Sequence, residues 1–145
     1  MKPLVSVVIP TYNHAQYLQK ALESLIAQTY VNWEAIVVDN HSTDETVEVI
    51  RSIPDPRITT LQIDNRGIIA ASRNKGIAAA RGEWVAFLDS DDWWEPNKLE
   101  ACMTCADENV DFLYHRMKSL SHGKTSTSSR FLNSWKVKSP VLIDL

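Results

Sequence analysis

The chain has 145 residues, 44% of them hydrophobic, and a formal net charge of −3 at pH 7. That length suits one globular domain burying roughly two-thirds of its unfolded surface, and the acidic balance excludes a general nucleic-acid binder. The charge is unevenly spread: residues 1–111 hold nine Lys/Arg and seventeen Asp/Glu, whereas residues 112–143 hold six basic residues and no acid.

The elements follow in chain order. LVSVVIP reads as a buried strand ended by Pro10. From Asn13, a candidate cap, Tyr17, Leu18, Ala21, Leu22, Leu25 and Ile26 recur three and four apart and predict an amphipathic helix of about four turns. WEAIVVD is the next strand, and HSTDETVEVI then opens a helix with Ser42 and Glu45 at capping-box spacing. RITTLQI is a third strand, AASRNKGIAAARG a short helix closed by Gly82, and EWVAFLD a fourth strand. Pro96 fits the first turn of a helix reaching about Glu108, followed by a fifth strand, VDFLYH. SLSHGKTSTSSR reads as a loop, and SPVLIDL as a helix start with Ser139 as cap, the pattern of a larger domain cut short.

Strands alternating with helices predict βαβ units: an α/β, Rossmann-like, mostly parallel sheet flanked by helices. Strands one, two and four read as apolar runs, as expected where helices cover both faces. Such sheets bind ligands beyond the carboxyl ends of their strands. Thr11, Tyr12 and Asn13, then Asp39, then Asp64 and Asn65, then Asp89 to Asp92 all fall at those ends. Four loops therefore send polar groups to one rim, with His14 and His41 at its border.

Three carboxylates in VAFLDSDDWW need a reason to stand so close. Asp89 and Asp91 lie two apart, so an extended backbone would aim both side chains the same way. Hard oxygen ligands on a short turn suit Mg²⁺ or Mn²⁺, with a diphosphate filling the open coordination positions. The competing role for Asp91 and Asp92 is to favour the helix start at Pro96. Asp39 suits a ribose hydroxyl or base N–H, Tyr12 a stacked base or the sheet edge, and Arg73 and Lys75 suit phosphates or a solvated helix face. P-loop and dinucleotide fingerprints are missing. Cys102 and Cys105 form one C-x-x-C inside a helix, without the further ligands a structural zinc needs, and read as two half-buried residues of a reducing compartment. The N-terminus has neither a signal-peptide pattern nor a bilayer-spanning length, so the chain is expected to be cytoplasmic.

VSVVIPTYNHAQYLQKALESLIAQTYVNWEAIVVDNHSTDET and NRGIIAASRNKGIAAARGEWVAFLDSDDWWEPNKLE together resemble the family-2 inverting glycosyltransferases of GT-A fold, over roughly residues 4–115. The P-T-Y-N, D-x-x-S-T-D, A-R-G-E-W-V-A-F-L-D-S-D-D and W-x-P motifs carry the likeness. It implies a donor-binding domain over 1–115, with 116–145 a basic, Ser/Thr-rich start of the acceptor side. Pro10 (through its backbone), Tyr12 and Asp39 are implied to hold the base and ribose. Arg73 is placed near the diphosphate, Ser90 among the nucleotide-binding residues, and Asp89 and Asp91 at a D-x-D site for Mn²⁺ or Mg²⁺. The implied partners are a nucleotide-diphosphate sugar, UDP being the commonest, and a glycan or lipid-linked acceptor.

Asn40 and His41 stand where the family often has a second acid and a glycine. The family's general base lies in a later half, and none of Glu95, Glu100, Asp107, Glu108, Asp111 or Asp144 matches it. Donor binding with little transfer is therefore expected of these 145 residues. The basic 112–143 stretch suits a lipid-diphosphate acceptor or peripheral contact with the inner membrane face, and uncovered apolar surface would favour a homo-oligomer. The alternatives are a non-catalytic nucleotide-sugar-binding module and a nucleotidyltransferase, which wants a Gly-rich basic loop that PTYNHAQY lacks.

Overall fold

A computed structural model describes residues 2–107, 109–113, 118–121 and 124–127. The chain divides into two compact units, one through Leu99 and one from Glu100 onward. The first unit carries the expected α/β core. Strands β1 (Val5–Thr11), β2 (Trp33–Asp39), β3 (Ile58–Gln62) and β4 (Trp84–Phe87) form one sheet in the order β3-β2-β1-β4, every pair parallel. Between them run α1 (Ala15–Ile26), α2 (Thr46–Ser52) and α3 (Ile69–Ala79), while α4 (Lys98–Cys105) begins at the end of the first unit.

The apolar runs explain the sheet. Every residue of β1 and β2 is buried, so both of their faces are covered. Val8, Ile36 and Val38 form one core cluster, joined by Leu61, Ile63 and Ala80. α3 packs across β1 and β2, and Gly76 lets it come close: a Cβ there would lie 2.3 Å from a methyl of Val8. α1 buries Leu18, Ala21, Leu22 and Leu25, while Tyr17 and Ile26 of the same periodic set stay exposed. β4 differs from its expected double burial. Among the described residues it is an edge strand with Val85 and Phe87 exposed, so its apolar character does not report cover on both faces there.

Several boundaries shift, each for a local reason. Pro10 does not end β1; it pairs in register with Val38, and the strand continues to Thr11. The even-numbered residues of β1 turn their backbone groups toward β4, whose last bond runs from Leu88 N–H to the Val8 carbonyl. Pro10 therefore lacks its N–H where no partner strand remains to receive it.

Asn13 does not cap α1. Its φ is 51°, and its side-chain oxygen accepts from Thr43 N–H. Asp44 does that work from another loop, accepting from Ala15 N–H at the start of α1 and from the N–H and hydroxyl of Thr46 at the start of α2. The Thr46 hydroxyl, helped by the Ala15 and Thr46 N–H groups, holds the Asp44 carboxyl below the usual carboxylate range. Ser42 is likewise no capping-box residue, because its N–H and hydroxyl both turn back to Asp39. α2 starts at Thr46 instead.

α3 ends before Gly82. A Cβ on that glycine would meet the Leu4 carbonyl at 2.6 Å and Ser6 N at 2.7 Å, so close backbone approach, not helix termination, requires it. The adjacent Arg81 closes a network on buried Glu34: its backbone N–H donates to Oε1 at 2.8 Å and its Nε to Oε2 at 2.8 Å, while the Ser6 hydroxyl donates to Oε1 at 2.7 Å. Thus the A-R-G-E-W stretch ties the α3–β4 connection to the starts of β1 and β2.

Pro96 precedes α4 by two residues, and its carbonyl accepts from Thr29 N–H. Gln28, almost fully buried, gives its amide N–H to the Glu95 carbonyl and takes Leu99 N–H at 2.9 Å, which fastens the W-x-P segment to the end of α1.

In the second unit, residues 110–113 form no strand, contrary to the fifth-strand expectation, and 114–115 lie outside the described residues. The Ser/Thr-rich stretch expected as a loop contains an antiparallel hairpin, β5 (Lys118–Ser121) and β6 (Lys124–Thr127). Polar composition hid it, since the run lacks the apolar alternation that marks a strand. The proposed helix start at Ser139 and Pro140 lies outside the described residues. Cys102 is partly buried and Cys105 exposed, both as free thiols on α4.

Candidate functional site

Strand order reverses between β1 and β4, the place where open parallel sheets leave a crevice. The β1–β4 ladder stops at Val8 and Phe87, while β1 stays paired with β2 as far as Thr11 and Asp39. The two strands part there, and a cleft of about 430 Å³ opens over their carboxyl ends. One wall carries Pro10, Thr11, Tyr12 and His14; the other carries Asp89, Ser90 and Asp91. Asn40, Asn65, Gly67, Ile69 and Ser72 complete the lining from the β2 and β3 ends.

The carboxylate wall is a turn, not the extended backbone expected of it. Asp92 N–H donates to the Asp89 carbonyl at 3.0 Å, yet Asp89 and Asp91 both still reach the cleft. Ser90 between them is buried, and its hydroxyl lies 2.9 Å from His14 Nδ1. Arg73 pairs through Nη2 with Asp89 Oδ1 at 2.7 Å. Its Nε is buried without a partner among the described residues. Partial burial, then repulsion from Asp91 and Asp89, raises the Asp92 carboxyl above its usual range. Negative charge is therefore crowded at this turn, which favours a cation beside it.

The other wall keeps polar groups unspent. The Thr11 hydroxyl is buried and has no partner among the described residues. Tyr12 is 53% exposed and available to a ligand, whereas Asp39 is wholly buried. Both Asp39 oxygens take the Ser42 N–H, one also takes the Ser42 hydroxyl, and Asp39 does not line the cleft. In this geometry Asp39 holds the β2–α2 loop.

Arg73 reaches the site only through Asp89. Lys75 does not reach it: its ammonium binds the Gln62 carbonyl, at the β3 end. Asp64 accepts from Arg66 N–H in its own turn. The sequence reading passed over Gly67, Ile69 and Ser72. The Asn65–Gly67 turn was their one signal, because Asn65 accepts from Gly67 N–H and donates to Ser72.

His41 sits at φ 55°, the left-handed region that glycine occupies without cost. Placing glycine there (His41→Gly) is expected to raise stability by up to about 1 kcal/mol, with the greater unfolded-state entropy of glycine offsetting part of the relief. An unchanged or lowered urea midpoint would show that the His41 side chain contributes more than its strain costs.

The model for glycosyl transferase family 2 matches residues 6–139. The chain belongs to that family. A teichuronic acid biosynthesis glycosyltransferase of Bacillus subtilis is 42% identical over 101 residues, covering 68% of this chain and 40% of its own length. An Escherichia coli UDP-Glc:alpha-D-GlcNAc-diphosphoundecaprenol beta-1,3-glucosyltransferase is 38% identical over 112 residues, covering 77% of this chain and 44% of its own length. Among solved structures, S. aureus TarS 1-349 in complex with UDP superimposes with TM-score 0.68 and 34% identity, over 75% of this chain and 33% of that one. A Pyrobaculum calidifontis mannosyltransferase in complex with GDP-Man and Mn²⁺ gives TM-score 0.68 at 31% identity, over 76% of this chain and 34% of that one. The family 2 chain thus has the GT-A type of α/β fold and spans less than half the length of these relatives.

Among the described residues no group of three or more His, Cys, Asp or Glu could hold a metal, and no helix is long and apolar enough to cross a membrane. A cation here would depend on Asp89, Asp91 and oxygens brought by a ligand. The donor set fits such an ion: it is all oxygen, cleft-lining and crowded with negative charge.

Proposed function

We propose that this chain is the donor-binding part of an enzyme that transfers a sugar from a nucleotide diphosphate to a glycan or lipid-linked acceptor with inversion. The observation that carries the reading is the pair of carboxylates, Asp89 and Asp91, facing exposed Tyr12 across the crevice between β1 and β4. The family relatives and the UDP and GDP-Man complexes of similar structures support it. A nucleoside seated by Pro10 and Tyr12, with Asp39 behind that wall, sends its diphosphate toward Asp89, Ser90 and Asp91.

Arg73, bonded to Asp89, stands beside that path. Its bond to Asp89 joins two partly exposed side chains, a kind of pair worth at most about 1 kcal/mol, so an incoming phosphate competes readily for the guanidinium. Asp91 is the more direct holder of Mn²⁺ or Mg²⁺, with Asp89 shared between the metal and Arg73. The metal, when bound, offsets charge on the leaving diphosphate. In the complete enzyme the acceptor oxygen bonds to the anomeric carbon as the carbon–phosphate oxygen bond breaks, and a carboxylate takes the acceptor's proton. No residue of this chain is assigned that role. Residues 1–115 form the donor domain in this reading, and 116–145 begin the acceptor side.

The test is calorimetric titration with UDP, GDP, dTDP and CDP, each with Mn²⁺ and with EDTA. Metal-dependent binding of at least one nucleotide is expected. A folded chain that binds none of them would overturn the proposal.

A further inference from the structure

Three contacts register α1 and His14, just before it, against the carboxylate turn and the segment that follows it. His14 meets Ser90, the Lys20 ammonium lies 3.1 Å from the Trp93 ring centroid, and the Ser24 hydroxyl accepts from Trp94 N–H at 3.0 Å. Residues 14, 20 and 24 share one helix face with Tyr17, whose ring meets His14 edge-on at 5.7 Å. Trp94, the tryptophan of the W-x-P motif, is buried and secures the segment; its neighbour Trp93 is not. Trp93 is 41% exposed and Tyr17 49% exposed. His14 stands on the cleft wall, Tyr17 meets it, and Lys20, one turn further along the same helix face, backs Trp93, so the aromatic side chains follow one another in a strip away from the cleft along that face.

We infer that this strip is a carbohydrate subsite, taking neutral pyranose rings of the acceptor glycan that lead into the cleft. The inference rests on the sugar-transfer reading of that cleft and assigns the strip its substrate class. An aromatic face is electron-rich, and the C–H face of a pyranose presents the complementary weakly positive surface. Lys20 holds the Trp93 ring by a cation–π contact, so little side-chain entropy is left to lose on stacking. Charge separates this occupant from an anionic membrane, which needs clustered Lys/Arg. Glu23, Asp91, Asp92 and Glu95 border the strip in sequence, against two lysines, Lys20 on Trp93 and Lys98 on Trp94. A neutral sugar tolerates that surround.

Saturation-transfer NMR on the whole chain, with cellobiose, maltose and chitobiose as probes, tests the subsite. At least one disaccharide is expected to bind, Trp93→Ala and Tyr17→Ala each to weaken it about fivefold, and Trp93→Phe to retain most of it. Titration of the same samples with UDP, GDP, dTDP and CDP in Mn²⁺ reads the cleft separately. An unaltered chain that binds none of the four would sink the transfer reading, while sugar binding still reports on the strip. The subsite is overturned if no disaccharide binds. It is also overturned if a folded Tyr17→Ala or Trp93→Ala chain binds as tightly as the original, or if these changes act only on sedimentation with phosphatidylglycerol vesicles.

Discussion

Replacing Asp91 with asparagine is expected to cut nucleotide affinity about 100-fold in Mn²⁺, roughly 3 kcal/mol, and to leave the weak binding in EDTA almost unchanged. The side chain is exposed, lines the cleft and belongs to a turn already strained by three carboxylates, so its loss leaves the fold intact. What disappears is the charge that holds the cation against the diphosphate. Asp89→Asn provides the contrast. Asp89 also holds Arg73, so its replacement frees a guanidinium and is expected to change binding in EDTA as well as in Mn²⁺. Calorimetric titration of both variants with UDP separates the two roles. Equal affinity of Asp91→Asn and the original chain in Mn²⁺ would refute the metal role.

The second large effect lies at the opposite end of the sheet. Glu34→Ala is expected to cost about 3 kcal/mol, because it strips the buried Ser6 hydroxyl of its acceptor and leaves the Arg81 N–H only its longer bond to Ser6 Oγ at 3.2 Å. The Arg81 side chain is 75% exposed and its guanidinium recovers water, which keeps the cost below that of a fully buried ion pair. Burial alone would raise the Glu34 carboxyl, but the hydrogen bonds from Arg81 and Ser6 outweigh it and hold the group below its usual range.

A depressed carboxyl stabilises the fold at pH above its unfolded value, and that contribution is lost as pH falls through the folded value. Asp55, lowered by its bonds from Arg57, acts in the same direction. The original chain should therefore lose urea resistance through the acid range, and Glu34→Gln should lose less of it. A Glu34→Ala midpoint within error of the original would show that the network is incidental. Parallel acid profiles for Glu34→Gln and the original would remove Glu34 from the pH dependence.

The sequence by itself determined the alternation of strands and helices, the buried β1 and β2, and the rim of polar residues. These follow from local chemistry: β-branched runs, three-and-four periodicity, and polar residues at strand ends. It also determined the family, through motifs whose order and spacing need no coordinates. Which motif residue does what was decided only by tertiary contact. Asp44 lies in a motif read as part of a ligand site, yet it caps two helices because the β2–α2 loop folds over the start of α1. Arg81 and Gly82 look like helix-end residues along the chain, but they meet Glu34 and Ser6, which are 47 and 76 positions away from them. Asp39 was legible as a strand-end carboxylate, and only the packing of Ser42 against it showed that it turns inward. The cleft itself depends on where β4 stops pairing with β1, a length that apolar composition leaves open and the backbone ladder fixes.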